Sequence, residues 1–86
     1  MDLLFHYKGR IYEAKVLVNR SQPVHYYRCY FFDEELKREA GDCVTFRTDE
    51  NSRKLELVYH VDKHSYILIN NLQTALQEYI DNTIQQ

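Results

Sequence analysis

The hydrophobic period of this chain changes once, and that change limits what it can fold into. From Ser65 onward apolar residues recur every three to four positions. Leu68, Ile69, Leu72, Ala75, Leu76, Tyr79 and Ile80 fall on one side of a helix, with Asn70, Asn71, Thr74, Gln77, Glu78, Asp81 and Asn82 on the other. Ahead of Ser65 the alternation is of period two, interrupted by turn residues, as expected of half-buried strands. A single amphipathic helix covers a single sheet face. The expected fold is therefore α+β and one domain, 1–86: an antiparallel sheet of about five strands, ordered β-β-β-(short α)-β-β-α, with a long C-terminal helix packed on one face. Only Ile67 falls off the helical stripe, which leaves open a final strand through Tyr66 to Ile69 before a shorter helix.

The strands can be placed from their turns. "LLFHYKGRIYEAKVLV" reads as a hairpin about the two-residue loop Lys8-Gly9, because glycine takes the positive φ such a loop demands. Phe5 then pairs with Tyr12 and Leu3 with Ala14. One face carries Leu3, Phe5, Tyr12, Ala14, Val16 and Val18, and the other Leu4, His6, Ile11, Glu13, Lys15 and Leu17. A four-residue loop Arg20 to Pro23 pairs Asn19 with Val24 and returns a third strand beside the second. Val16 then faces Tyr27, Ala14 Cys29 and Tyr12 Phe31 on the core side. On the other side Leu17 meets Tyr26, Lys15 Arg28, Glu13 Tyr30 and Ile11 Phe32. Burying Cys29 rather than Arg28 favours this parity, since an unpaired arginine in a core is costly. A loop of three or five residues would exchange the faces.

"DEELKREAG" has the marks of a short helix, with Asp33 as N-cap, Glu34 and Glu35 in the first turn, Lys37 and Arg38 in the last, and Gly41 just past it. Its one large apolar residue is Leu36, so a solvated crossover is expected. "DCVTFRT" and "RKLELVYHV", joined by "DENS", form a second hairpin in which Phe46 faces Leu55 and Val44 faces Leu57, with Tyr59 and Val61 continuing inward. Cys43, Thr45, Arg47, Lys54, Glu56, Val58 and His60 point outward. The order of the two hairpins within the sheet is left open.

Composition excludes several function classes. Of 86 residues, 44% are hydrophobic and 28% charged, with only two glycines and one proline, which argues for a folded chain rather than a linker. The net charge of -2 predicts no affinity for nucleic acid or anionic membrane as a whole. Charge is nevertheless uneven, since Lys8, Arg10, Lys15, Arg20 and Arg28 in the first 32 residues face only Asp2 and Glu13. The opening "MDLLFHYKGR" lacks the features of a signal peptide and no apolar run is long enough for a membrane helix. With two cysteines and no CxxC spacing, a reducing, cytoplasmic setting is expected.

No catalytic constellation emerges, and the chain is expected to be a non-enzyme without cofactor or metal. His60 and His64, with His6 and His25 elsewhere, lack the cysteines or clustered carboxylates that complete a ligand set. Cys29 and His25 lie four residues apart on one strand, roughly 13 Å, too far for a thiolate pair. Cys43 and His60 are closer diagonal neighbours across the second hairpin, with no oxyanion site beside them. Two isolated glycines preclude the phosphate-binding loops, and Glu34 and Glu35 are adjacent on a polar helix.

The remaining feature is "VHYYRCYFF", residues 24 to 32, where rings occupy both alternation phases although one phase suffices for a core. Its second face, with the flanking strand, gives Ile11, Lys15, Leu17, Tyr26, Arg28, Tyr30 and Phe32 as the candidate interaction surface. Aromatic anchors with arginine and charged neighbours have the composition of a protein contact, with a second copy of the chain or another protein as partner. Stackable rings beside Lys15 and Arg28 give single-stranded nucleic acid as the alternative, although the RRM consensus is absent and the strand order is wrong for it.

Overall fold

The computed structural model describes residues 1–21, 24–49, 53–58 and 65–84. Five strands, β1 (Asp2–Tyr7), β2 (Arg10–Ser21), β3 (Val24–Phe31), β4 (Cys43–Asp49) and β5 (Glu56–Leu57), form one antiparallel sheet in the order β1-β2-β3-β4-β5. Helix α1 (Glu34–Ala40) links β3 to β4, and α2 (Tyr66–Ile84) lies across the sheet. The α+β arrangement is the expected one, and the two hairpins are joined through a β3–β4 pairing.

The first hairpin has the expected register, with Phe5 opposite Tyr12 and Leu3 opposite Ala14. Its turn needs positive φ at both positions. Gly9 adopts 72° at no cost, and Lys8 accepts 49°, a strained value for a side-chain-bearing residue. Lys8 is held there by Glu39 of α1 at 3.1 Å and by the face of Tyr7, 5.2 Å from the ring centre. Burial, reinforced by the Glu39 carboxylate, pushes the Tyr7 phenol above its ordinary value.

The second and third strands differ from expectation by two residues. Pairing runs on to Ser21 opposite Val24, so Val16 meets Cys29, Ala14 meets Phe31 and Lys15 meets Tyr30. Extending the ladder satisfies more backbone groups on each strand than a four-residue loop would. Because the slip is even, every side chain keeps its face. The second hairpin slips likewise, with Phe46 opposite Leu57 rather than Leu55. The cause is α2: the Leu55 N–H donates to Gln77 Oε1 at 2.8 Å, and Gln73 Nε2 donates to the Leu55 carbonyl at 3.0 Å. Gln77 Nε2 also donates to the Arg53 carbonyl at 2.7 Å. Helix side chains thus take the backbone groups a strand partner would have used. The expected inward positions Tyr59 and Val61, the outward His60, and His64 lie outside the described residues.

Helix α1 starts as its sequence directs, the Asp33 carboxylate accepting from the N–H groups of Glu35 and Leu36 at 2.8 and 3.3 Å. At its end Gly41, with φ 84°, donates to the Lys37 carbonyl at 2.8 Å. It is not the solvated crossover expected of it: Leu36 and Ala40 are buried with the core, which anchors seven residues that could not stay helical alone. α2 runs unbroken from Tyr66, so the alternative strand through Tyr66 to Ile69 is excluded, and Ile67 is exposed as its position off the stripe requires.

The core lies between one sheet face and the two helices. Leu3, Phe5, Tyr7, Ala14, Val16, Cys29, Phe31, Val44 and Phe46 meet Leu36, Ala40, Leu55, Leu68, Ile69, Leu72, Leu76 and Ile80. Phe5 is the hub of its aromatic part, with ring centres 6.1 Å from Tyr12 and 6.2 Å from Phe31. Tyr7, next to the turn, shares the Leu3–Phe5 phase and extends this core to the end of β1. Val18 and Tyr79, expected inside, are 38% and 44% exposed. They border a cleft of about 300 Å³ with Tyr27 and Ile80, near the C-terminal end of α2.

Candidate functional site

Strand alternation delivers a second face of the sheet, opposite the one the helices cover. Its geometry follows from the register. Across the middle of the sheet, Asp2, Lys15, Tyr30 and Cys43 form one row from β1 to β4. Leu17, Arg28 and Thr45 form the next, and Val58 reaches it by donating its N–H to the Thr45 carbonyl at 3.0 Å. Asn19, Tyr26, Arg47 and Glu56 form the third. Toward the first turn lie Leu4 opposite Glu13 and His6 opposite Ile11, with Phe32 just beyond the end of β3.

All seven residues expected to form the interaction surface are on this side or at its rim. Leu4, Ile11, Phe32 and Leu17 are 64%, 62%, 57% and 47% exposed, an unusual density of large apolar side chains in water. Lys15 and Arg28 are exposed, while Tyr26 and Tyr30 are half-buried. Leu4, Cys43, Arg47, Glu56 and Val58 complete the face. Alternation within each hairpin points these five outward, but only the β3–β4 pairing, which places the two hairpins edge to edge, joins the last four to the first three strands in one surface.

Charges of both signs are interspersed on this face. Among its paired strand positions are Lys15, Arg28 and Arg47 and the acids Asp2, Glu13, Glu56 and, at the end of β4, Asp49. Arg47 is further committed to Glu56, Nε to Oε2 at 3.4 Å. The cations sit in separate rows and make no continuous basic track. The basic excess of the first third is drawn off elsewhere, since Lys8 pairs with Glu39 and Arg20 lies beside the cleft near the end of α2.

Parity also separates the thiols. Cys29 is buried on the inner face, and its desolvation pushes the thiol up to about 12. Cys43 is half-buried on the outer face with its sulfur 3.9 Å from the Thr45 hydroxyl. Both are free thiols. Among the described residues no three His, Cys, Asp or Glu side chains gather as a metal site, and no helix is long and apolar enough to cross a membrane. Comparison with known protein families, with curated proteins and with solved structures finds no match to the chain.

Proposed function

We propose that this chain is a non-enzymatic interaction module that works through the outer face of its sheet, and that the partner on that face is a second copy of itself. The observation that carries the reading is the exposed set Leu4, Ile11, Leu17 and Phe32 on the sheet face opposite the helices. Apolar side chains in such number gain by leaving water, at ~25 cal/mol per Å². Self-association is favoured by the mixture of charge, because a patch that carries both acids and bases can complement itself across a two-fold axis. The molecule is a slab of 34 × 26 × 18 Å, and its broad side is large enough for the ~800 Å² per partner of a standard interface. The absence of a net positive charge among these paired positions argues against single-stranded nucleic acid, which is drawn to a basic groove with displayed rings.

Tyr30 tests the proposal. It lies in the middle strand between Lys15 and Cys43, and a carboxylate there would have to be desolvated in any contact. Light scattering and sedimentation are expected to give wild type a higher mass than Tyr30→Glu, with the variant still unfolding cooperatively and wild type the more stable as concentration rises. Equal masses would remove the face-to-face contact. Saturable binding of a labelled single-stranded RNA at low salt, lost in Arg28→Ala, would replace it with the nucleic-acid reading.

A further inference from the structure

Strand β1 is the edge of the sheet, and its unpaired backbone has a definite pattern. The Met1 ammonium donates to the Val16 carbonyl at 3.0 Å and the Val16 N–H donates to the Met1 carbonyl at 2.8 Å, so Met1 and Val16 are a mutually bonded pair. Antiparallel ladders alternate bonded and non-bonded pairs. Leu3–Ala14, Phe5–Tyr12 and Tyr7–Arg10 are then bonded, whereas Asp2–Lys15, Leu4–Glu13 and His6–Ile11 are not. The N–H and C=O groups of Asp2, Leu4 and His6 therefore point away from β2, along the free edge. Among the described residues nothing pairs with them. Nor does β1 carry the usual guards of an edge, since DLLFHY contains no proline, no lysine and no bulge.

We infer that this edge pairs with the β1 edge of a second copy, antiparallel and centred on Leu4, to make one continuous ten-stranded sheet. The inference rests on the fold and not on the face-to-face contact proposed above. Only residues with outward-facing backbone can form bonded pairs, which restricts the register to five choices. Centring on Leu4 joins Leu4 to Leu4 and each Asp2 to the other copy's His6, with two hydrogen bonds in each of three pairs. Sliding by one step in either direction leaves two such pairs, and by two steps only one. The side chains select the same register. Asp2 and His6 project on the outer face, so each carboxylate meets an imidazole across the dyad, and two exposed Leu4 side chains cover one another at the centre. On the inner side Leu3 stands beside the partner's Phe5. The edge is reachable: a cleft of about 390 Å³ runs along it, bordered by Leu4 and His6 and by Asn71, Thr74 and Glu78 of α2.

This two-fold axis is normal to the sheet, and that of a face-to-face contact lies in its plane. Perpendicular dyads that intersect close into a tetramer, so the two contacts are compatible where the face axis passes through the edge axis. The test is made on the full-length chain with Tyr30→Glu, which removes the face contact. Light scattering is expected to give a dimer, and adding Leu4→Pro a monomer; proline is tolerated at an edge position whose N–H leaves the ladder. Amide exchange supplies a readout independent of any variant. The Asp2, Leu4 and His6 amides gain protection with rising concentration, whereas those of Leu3, Phe5 and Tyr7 are protected throughout. Asp2→Lys is expected to weaken the dimer about tenfold and His6→Glu added to it to restore it. A Tyr30→Glu dimer indifferent to Leu4→Pro, with fast Leu4 and His6 amides, overturns the inference. So does a Tyr30→Glu monomer at every concentration, and that result leaves the face contact standing.

Discussion

The two faces of this sheet are made by the same strands and even by the same nine-residue stretch, yet they are different materials. Inward, Tyr27, Cys29 and Phe31 of β3 sit among aliphatic and aromatic neighbours, and Cys29 and Phe31 are buried under the helices. Outward, Tyr26, Arg28 and Tyr30 share their rows with Asn19, Leu17, Lys15 and the polar side of β4. The buried part of the inner face is closely packed, and among the described residues it holds no ionised group. The outer face is half apolar, charged in both senses and open. Stability and recognition are thus carried by opposite phases of one alternation, and a change of a single residue tests one without disturbing the other.

The sharpest contrast is between truncations. Phe46→Ala, at the centre of the inner face, is expected to cost ~3 to 5 kcal/mol in urea unfolding, whereas Leu17→Ala on the outer face costs the monomer under ~0.5 kcal/mol. Equal losses would erase the distinction. Next in size is the response to alkali. Cys29 has its thiol raised from 9.0 to about 12 in the folded chain, so the neutral thiol favours the native state. That contribution is complete below pH 9 and is lost as pH rises toward 12, at about 1.4 kcal/mol per pH unit. Cys29→Ala is expected to flatten the alkaline limb of the stability profile, with Tyr7 continuing the decline above pH 10 in the same direction. A limb unchanged by the substitution would place the alkaline sensitivity elsewhere. The smallest effect is chemical. At pH 8 iodoacetamide is expected to modify Cys43 and spare Cys29 in the native protein, and modification of Cys43 should slow under conditions where the outer face is occupied by a partner.

Much of this was legible in the residues, because a period of two tolerates error in loop length as long as the error is even. The β2–β3 and β4–β5 registers were each two residues off, and Leu3, Phe5, Ala14, Val16, Phe46 and the α2 stripe nevertheless fell on the right side. What the sequence did not reveal were effects of tertiary contact. Leu36 and Ala40 make α1 part of the core although its composition looks solvated. Leu55 forgoes a strand partner for two glutamines, which no local pattern announces. Alternation alone assembles the outer surface for the first three strands only, since nothing in either hairpin states that they lie side by side. Which amides of β1 look outward is set by the Met1–Val16 pair, a contact between strands that alternation alone does not specify.

The amides of Gln73 and Gln77 have a consequence for how the chain reaches its native state. They belong to the last described helix, and they hold residues 53–55, at the far margin of the sheet from β1. During synthesis the strands emerge first, but their greasy side and the stretch leading into β5 have no cover until α2 has left the ribosome. A nascent chain stalled before residue 77 would hold a partly bare sheet, the form most prone to stick to others. Completion of the C-terminal helix is therefore the step that turns an adhesive intermediate into a molecule whose stickiness is confined to chosen surfaces.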